Sequence, residues 1–348
     1  MNKFFAIRTA TSTDSKQASE PVAALHDKIH VNQPALKRLE TMAPTATSEV
    51  NMAAYLDKPG SPLDVKEAPM PSHGPNELVL RVHSLAINPT DAMRIKVGMG
   101  IPEGRYPYIV GCDGAGVVHS IGSSVTDFKI GDRIIAMSDE FFCLQKTHGM
   151  FQQYVVVDVK HACKIPDNVG YDDACVLPLA MATAAGAVFE HESMGLDWPR
   201  LRGSNEFHVQ QKNNKDKVVV VWGGSSSVGC CAIQMIKDAG YTVVATASRR
   251  NFDLCKNVGA DEVFDYTSDD CIDMLCKWVE EKALKSAGVF PVVIDPASFE
   301  KCGQIARKLP GRKLVGTTLA RGLMPLPELG QDVKVTACKC CSGRHLTS

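Results

Sequence analysis

The sequence predicts an α/β protein of two domains, a β-rich barrel followed by a doubly wound parallel sheet. An unbroken apolar run at 218–221 leads into a glycine-rich turn and an apolar helix pattern, which is typical of a parallel βαβ unit. Before it, from residue 52 to about 178, short alternating segments are separated by turn residues. After it, apolar segments recur at helix-length intervals, as the strands of a parallel sheet do.

Composition limits the class of protein. A chain of 348 residues is long enough for two hydrophobic cores. With 45% hydrophobic residues, 22% charged residues and a net charge of -1, no basic excess is present to bind nucleic acid. No apolar run reaches the ~18 residues that span a bilayer. We therefore expect neither nucleic acid nor a membrane as partner.

Thirteen cysteines are scattered singly through hydrophobic segments, and no secretory signal precedes them. Free buried cysteine behaves as a small hydrophobic residue, and a reducing compartment fits such usage. We expect a cytoplasmic protein. Lys3 and Arg8, which precede the first acidic residue, Asp14, give a mitochondrial location as the alternative.

Residues 1–51 show no sustained period and are rich in Ser, Thr, Ala and Pro, which predicts a poorly ordered extension. Met42 is the expected true start of the chain. The barrel domain is assigned to 52–185 and ends in a helical run at 172–190. Its clearest predicted strands are 77–82, 114–118, 133–137 and 153–157.

The turn after the apolar run is the main functional signal. It consists of Gly223, Gly224, Ser225, Ser226, Ser227, Val228 and Gly229. A strand, such a turn and a helix N-terminus together offer free backbone N–H groups to a cofactor pyrophosphate. Ser226 stands where the usual fingerprint has its second glycine. The alternative is a parallel sheet that binds nothing at this turn.

The residues after the second predicted strand, 241–247, distinguish the two nicotinamide cofactors. An acidic residue there binds the ribose diol of NAD, whereas a small polar residue with arginine accommodates the 2′-phosphate of NADP. This chain has Ser248, Arg249 and Arg250, which favours NADPH. The alternative is that the two arginines begin a surface helix and face solvent without binding a phosphate.

The nucleotide-binding domain is assigned to 186–330, after a polar stretch at 191–216. Its later strands are predicted at 262–266, 289–294 and 313–316. The tail, 331–348, has no apolar period near its end. A metal site of Cys338, Cys340, Cys341 and His345 does not fit, because structural zinc sites pair cysteines two to four residues apart.

Several ordered motifs are similar to those of the medium-chain dehydrogenase/reductase superfamily, in its zinc-independent quinone oxidoreductase and fungal trans-acting enoyl reductase branches. The resemblance runs from about Met52 to about Leu319. It rests on the sequences at 88–91, 111–118, 131–133 and 177–185. It implies a GroES-like barrel followed by a Rossmann domain. Family members also return to the catalytic domain with a further strand and helix, and that return is expected to be missing here.

Alcohol dehydrogenases of the superfamily bind a catalytic zinc through a cysteine near the Asn88 position and a histidine–glutamate pair at the position of Cys112 and Asp113. A catalytic zinc needs about three protein ligands. Here the first cysteine is absent and the histidine is replaced by Cys112. In the loop at 134–148, Cys143 and His148 are the Cys and His ligands present, so the four-cysteine structural zinc lobe is missing too. We expect no metal.

Without a Lewis acid, oxidation of a simple alcohol loses its usual stabilisation of an alkoxide. Reduction of a conjugated C=C bond needs less assistance, because the negative charge spreads onto an enolate. The resemblance therefore implies an NADPH-dependent reductase of an enoyl or enone substrate. The alternatives are a quinone reductase acting on small diffusible substrates and a truncated, non-catalytic dinucleotide-binding protein.

The resemblance also implies roles for individual residues. Thr183 would hydrogen-bond the nicotinamide carboxamide, and Asn88 with Asp91 would shape the active-site floor. Tyr106 is the candidate proton donor, with Tyr108 as alternative. The further cofactor contacts would be Ser248, Arg249, Arg250, Tyr266, Asp295, Gly316, Thr317 and Thr318.

Each of these roles has a purely structural alternative. Thr183 would bond its own helix backbone, Tyr266 would be an ordinary strand aromatic, and the two tyrosines would pack a turn. Many relatives carry a basic residue two positions after the aspartate of the first motif; here Met93 occupies that position and Arg94 follows. The expected substrate is a small molecule or a carrier-bound enoyl group, with a polyketide synthase as possible partner and a monomer or homodimer as assembly.

Overall fold

The computed structural model describes residues 8–9, 49–293, 295–320 and 325–338. Most of the predicted extension, and the tail after residue 338, lie outside these ranges. The chain divides into two compact units, Met1–Leu179 and Ala180–Ser348, whereas the sequence places the boundary after residue 185. Within the described ranges, no helix combines the length and apolar character required to cross a membrane.

The first unit is rich in strands, as predicted. Its elements are β1 (Arg8–Thr9), β2 (Asn51–Leu56), β3 (Leu63–Ala68), β4 (Glu77–Ile87), α1 (Pro89–Val97), β5 (Tyr108–Ile109), β6 (Asp113–Ile121), β7 (Arg133–Met137), α2 (Glu140–Cys143), β8 (Tyr154–Asp158), β9 (Ala162–Lys164) and α3 (Tyr171–Ala174). One sheet has the order β1-β4-β6-β7-β9, with β8 also paired to β4, and a smaller one has the order β3-β2-β5. The strands of both sheets enclose one apolar core.

Two helices replace the predicted helical run at 172–190. The first, α3, ends at Ala174, and the second, α4 (Pro178–Val188), begins at a proline. Proline has no backbone N–H to continue a helix but is well tolerated in a first turn. Pro178 therefore starts a new helix rather than extending the preceding one.

The second unit alternates strands and helices. After α4, which crosses the unit boundary, its elements are α5 (Asn205–Asn214), β10 (Lys217–Trp222), α6 (Ser227–Asp238), β11 (Thr242–Ala247), α7 (Phe252–Asn257), β12 (Glu262–Asp265), α8 (Cys271–Glu281), β13 (Lys285–Pro291), α9 (Pro296–Lys308), β14 (Leu314–Ala320) and β15 (Lys334–Cys338). Its described strands form a parallel sheet of order β12-β11-β10-β13-β14-β15. The doubly wound sheet predicted from the sequence is confirmed.

The valine run of β10 shows why this sheet needs an unbroken apolar strand. Val219 and Val221 pack in one core, together with Ile233 of α6. Val218 and Val220 pack in another core, on the opposite face. A strand covered on both faces cannot alternate with polar residues.

Two sequence boundaries differ from the structure. The strand predicted at 289–294 is β13, Lys285–Pro291, and Ile294 is outside the described residues. Strand β15 falls in the predicted tail but pairs with β14 in parallel. Its Val335 and Cys338 contact the two cores of the unit, so the sheet continues beyond residue 330.

Candidate cofactor and catalytic sites

The glycine-rich turn joins β10 to α6 and is fixed to the neighbouring strand. The amide N–H of Gly224 donates to the carbonyl oxygen of Thr246, 2.8 Å away. The N–H of Gly223 donates to the Thr246 hydroxyl at 3.1 Å. Gly223 has a φ of +91°, a conformation that favours glycine.

Ser226 closes this turn. Its hydroxyl accepts a hydrogen bond from Gly229 N–H at 3.1 Å and donates to the carbonyl oxygen of Gly223 at 2.9 Å. It is the N-cap of α6. The serine found at the fingerprint's second glycine position therefore has a structural role of its own, which the fingerprint does not predict.

Gly229 is required by its surroundings. A Cβ atom at this position would lie 2.5 Å from the carbonyl oxygen of Gly223 and 2.8 Å from that of Gly224. The close approach of helix and turn leaves the first N–H groups of α6 directed out of its N-terminus, where the helix dipole favours an anion. These residues fit the pyrophosphate of a dinucleotide.

The ends of β11 and β12 bring together the residues predicted to contact the adenosine. The strands are paired, with Ala247 opposite Asp265, so Ser248 and Tyr266 follow at the same edge. Arg249 Nε donates to Asp265 Oδ2 at 3.0 Å, and the Arg249 side chain is 82% exposed. Arg250 and Tyr266 are also exposed.

Asn251, which was not among the predicted cofactor contacts, joins this edge to the turn. Its Nδ2 group donates to Ser225 Oγ at 3.3 Å and to Ser248 Oγ at 3.2 Å. Its position directly after the arginine pair is the one feature of the sequence that could have indicated this role. Its contact with Ser225 depends on strand pairing and is not apparent from spacing.

The remaining predicted cofactor residues lie at the carboxyl ends of β13 and β14. Asp295 caps α9, and its carboxylate accepts from Ser298 N–H at 3.0 Å. Gly316 packs against Met194, whose Sδ would be 2.5 Å from a Cβ atom at this position. Thr317 is fully buried, and its hydroxyl accepts from Leu319 N–H at 2.8 Å. Asp295, Gly316 and Thr317 therefore each have a structural role in the fold, whereas Thr318 is half-buried in β14.

Thr183 lies in α4 and is partly exposed. Its carbonyl oxygen is 3.8 Å from Cys338 Sγ. No hydrogen bond of the Thr183 hydroxyl is found within the described part of the chain. The structural alternative, a threonine bonded to its own helix backbone, is therefore not what the structure contains.

In the first unit, Asn88 is held by two buried carboxylates. Its backbone N–H donates to Asp91 Oδ2 at 2.8 Å, and its side-chain Nδ2 donates to Asp113 Oδ2 at 2.9 Å. The other oxygen of Asp113 accepts from Leu179 N–H at 2.8 Å. Asp91 and Asp113 are both 0% exposed. Asp91 thus supports Asn88 from within the core rather than lining an open surface.

Burial dominates the electrostatics of this cluster. It raises the pKa of Asp113 to about 8 and that of Asp91 to about 6, although hydrogen bonds from Asn88 act in the opposite direction. Burial also raises the pKa of the Cys112 thiol, and the charges of Asp91 and Asp113 raise it further. Asp113 and Cys112 are therefore mainly protonated at neutral pH.

The Cys112–Asp113 pair does not fit a catalytic zinc. Both oxygens of Asp113 are occupied by hydrogen bonds to Asn88 and Leu179. The neighbouring thiol is buried and favours the protonated form, whereas a zinc ligand must be a thiolate. We derive no chemical step through a metal at this position.

Arg94 is not available to a substrate. It is 0% exposed and forms an ion pair with Glu140, with Nη1 and Oε1 separated by 2.8 Å. Tyr108 donates its hydroxyl hydrogen to Glu140 Oε2 at 2.8 Å. Burial raises the pKa of Glu140 to about 7, which Arg94 counteracts. Glu140 was not identified from the sequence, because it lies far from Arg94 along the chain and no motif links the two residues.

The two candidate tyrosines differ. The Tyr108 hydroxyl is engaged by Glu140, whereas the Tyr106 hydroxyl is buried without a hydrogen-bond partner among the described residues. It lies against Gly98, where a Cβ atom would be 2.6 Å from it. Burial raises the pKa of Tyr106. Tyr106 is thus the one of the pair whose proton is not already committed.

Comparison with known proteins agrees with this architecture. Residues 74–167 match the family model described as "Alcohol dehydrogenase GroES-like domain", and residues 227–326 match that described as "Zinc-binding dehydrogenase". The chain is 37% identical over 274 residues to "Dehydrogenase azaJ" of Aspergillus niger, covering 77% of this chain and 76% of the relative.

A second relative is "Trans-enoyl reductase tazE" of Aspergillus terreus, 36% identical over 242 residues, covering 68% of this chain and 74% of the relative. Among solved structures, the quinone oxidoreductase of Pseudomonas syringae pv. Tomato aligns with a TM-score of 0.61 and 19% identity, over 83% of this chain and 82% of that one. At this identity the likeness concerns the fold.

Proposed function

The chain belongs to the medium-chain dehydrogenase/reductase superfamily of oxidoreductases, and from that membership we propose that it is an NADPH-dependent reductase of the conjugated C=C bond in an enoyl or enone substrate. The observation that carries the proposal is the edge formed by Ser248, Arg249 and Tyr266. There a serine follows β11, and an exposed guanidinium lies beside it. This arrangement supports binding of a 2′-phosphate.

When bound, NADPH would supply the hydride for the β-carbon of the conjugated C=C bond, and a donor of the chain would supply the proton that the product also requires. The turn 223–229 would hold the pyrophosphate through backbone N–H groups. The Thr183 hydroxyl, which has no hydrogen bond within the described part of the chain, would bind the nicotinamide carboxamide. Asn88 is held in one orientation by Asp91 and Asp113.

Tyr106 is the proposed proton donor. Its hydroxyl, which has no hydrogen-bond partner among the described residues, can donate to a carbonyl or enolate oxygen, and its pKa, raised by burial, keeps it protonated at neutral pH. We expect Tyr106→Phe to lower kcat about 100-fold, as loss of a general acid does, with the dissociation constant of NADPH unchanged. Tyr55→Phe, at a buried tyrosine of β2, is the control. Equal kcat for the two variants would remove Tyr106 from the mechanism.

The Aspergillus terreus relative is named a trans-enoyl reductase, which supports an enoyl substrate, and we propose that a carrier protein presents that substrate to this chain. NADPH oxidation should be measured with an enoyl thioester of a pantetheine, the same enoyl group on a carrier protein, and a panel of quinones. We expect turnover with the two thioesters and a higher kcat/KM for the carrier-bound one. Turnover with quinones alone would establish quinone reduction instead, and binding of NADPH without any turnover would establish a non-catalytic protein.

A further inference from the structure

Three side chains with metal-binding atoms meet in the loop that follows β7. Asp139 precedes α2, Cys143 is the last residue of α2, and His148 ends a 3-10 turn at Lys146–His148. One potential ligand atom from each lies within 4.8 Å of those of the other two. In the described part of the chain, no other three such side chains come together in this way.

The three side chains are in direct contact. Nδ1 of His148 is 2.6 Å from Asp139 Oδ1, and Cys143 Sγ is 3.7 Å from the same oxygen. The His148 side chain is 4% exposed and that of Asp139 17% exposed. An ion bound here would be largely shielded from water, yet Cys143 remains partly accessible.

We propose that Asp139, Cys143 and His148 bind one Zn²⁺ ion, with a water molecule as fourth ligand. The donor set of one sulfur, one nitrogen and one oxygen suits zinc, whereas Mg²⁺ and Ca²⁺ prefer oxygen alone. A thiolate and a carboxylate together neutralise the divalent charge, which burial requires.

Binding changes the local geometry only slightly. Ligand atoms about 2.0–2.1 Å from a tetrahedral zinc are roughly 3.3 Å apart, so the Asp139–His148 hydrogen bond opens by less than an ångström and is replaced by two bonds to the ion. The ion would hold α2 and the 3-10 turn together and has no role in hydride transfer. The proposal departs from the sequence expectation of no metal, which considered Cys143 and His148 without Asp139.

The test uses the full-length protein, stripped with a chelator and then titrated with Zn²⁺ and separately with Co²⁺. We expect one equivalent of zinc to bind and one equivalent of cobalt to give a thiolate-to-cobalt charge-transfer band. Cys143→Ser should abolish that band and weaken zinc binding about 100-fold or more, because it removes a ligand rather than an outer contact. Cys163→Ser, an exposed thiol of β9 in the same unit, is the matched control and should change neither.

Asp139→Asn is the second variant, in case Cys143→Ser lowers the folded fraction measured by circular dichroism. It should weaken zinc binding while the cobalt band persists at a shifted wavelength. No bound zinc in the folded parent protein, or an unchanged cobalt band in Cys143→Ser, overturns the proposal. Neither readout depends on reductase activity, so the result is independent of the proposed function.

Discussion

The turn after β10 and the cluster around Asn88 hold polar groups by different means. In the turn, the hydrogen bonds are formed by backbone groups and by the hydroxyls of Ser226 and Thr246. Around Asn88, two carboxyl groups with 0% exposure accept hydrogen bonds from the Asn88 side-chain amide and from backbone N–H groups. The turn is therefore defined by the shape of its backbone, whereas the cluster around Asn88 is defined by which of its groups are protonated.

The largest effect should come from the buried ion pair beside the second site. Replacing Arg94 with methionine removes the cation that offsets the burial of Glu140, so this carboxyl must either remain charged without its partner or take up a proton. We expect the free energy of unfolding to fall by about 3–5 kcal/mol. Urea denaturation measures it. The double variant with Glu140→Met should recover most of the loss. If Arg94→Met alone costs less than about 1 kcal/mol, the pair does not behave as a buried one.

A methyl group in the turn should act through shape alone. In Gly229→Ala the new Cβ meets two backbone carbonyl oxygens, an overpacking of about 1–3 kcal/mol that should weaken NADPH binding about 10- to 100-fold. Fluorescence titration of NADPH measures the change. Gly170→Ala is the control, since its Cβ would meet only Asp173 Oδ2 at 3.7 Å. Equal affinities in the two variants would contradict the close approach of helix and turn.

The carboxylate cluster should instead respond to pH. Asp113 has a pKa of about 8 in the fold, against 3.8 for an ordinary aspartate. The folded protein therefore binds this proton more tightly than the unfolded chain does, and the free energy of unfolding should fall as the pH rises between these two values. In Asp113→Asn, the total fall in the free energy of unfolding over this pH range should be smaller by roughly 1–3 kcal/mol.

The exposed Asp127→Asn, in the same unit, is the control for this measurement and should leave the slope of unfolding free energy against pH unchanged. Glu140 and Asp91, whose pKa values are also raised by burial, give the Asp113→Asn protein a residual slope of the same sign. An unaltered pH profile in Asp113→Asn would mean that Asp113 is ionised throughout.

The smallest effect on stability should accompany a change in cofactor preference. Arg249→Ala removes an ion pair whose arginine is 82% exposed, and such pairs contribute little to stability. We expect an unchanged Tm and a preference for NADPH over NADH lowered about 10-fold, or about 1.4 kcal/mol. Arg202→Ala, an exposed arginine paired with Asp238, is the control. An unchanged NADPH:NADH ratio would remove Arg249 from the 2′-phosphate site.

The parallel sheet and its turn were predictable because their signals are local. An apolar run, three glycines and a helix period all lie within residues 218–236. The family and the oxidoreductase class follow from the motifs at 88–91, 111–118, 131–133 and 177–185. Strand β15 was not predicted. Apart from Lys334, its residues are equally compatible with an irregular tail.

The carboxylate cluster and the loop after β7 were only partly predictable. Asn88 and Asp113 are identified by their motifs, but that they share a hydrogen bond depends on the pairing of β4 with β6. Glu140 and Asp139 carry no motif at all. Arg94 and His148 are both noted in the sequence, but their pairing with Glu140 and Asp139 depends on the fold and is not indicated by spacing.

The hydroxyl of Ser226 bridges Gly223 and Gly229 within the turn itself. A receptor loop that is already closed has little conformational freedom left to lose when an anion arrives. Association with the dinucleotide should then proceed in a single kinetic phase whose observed rate increases linearly with coenzyme concentration, without the plateau that a preceding isomerisation produces.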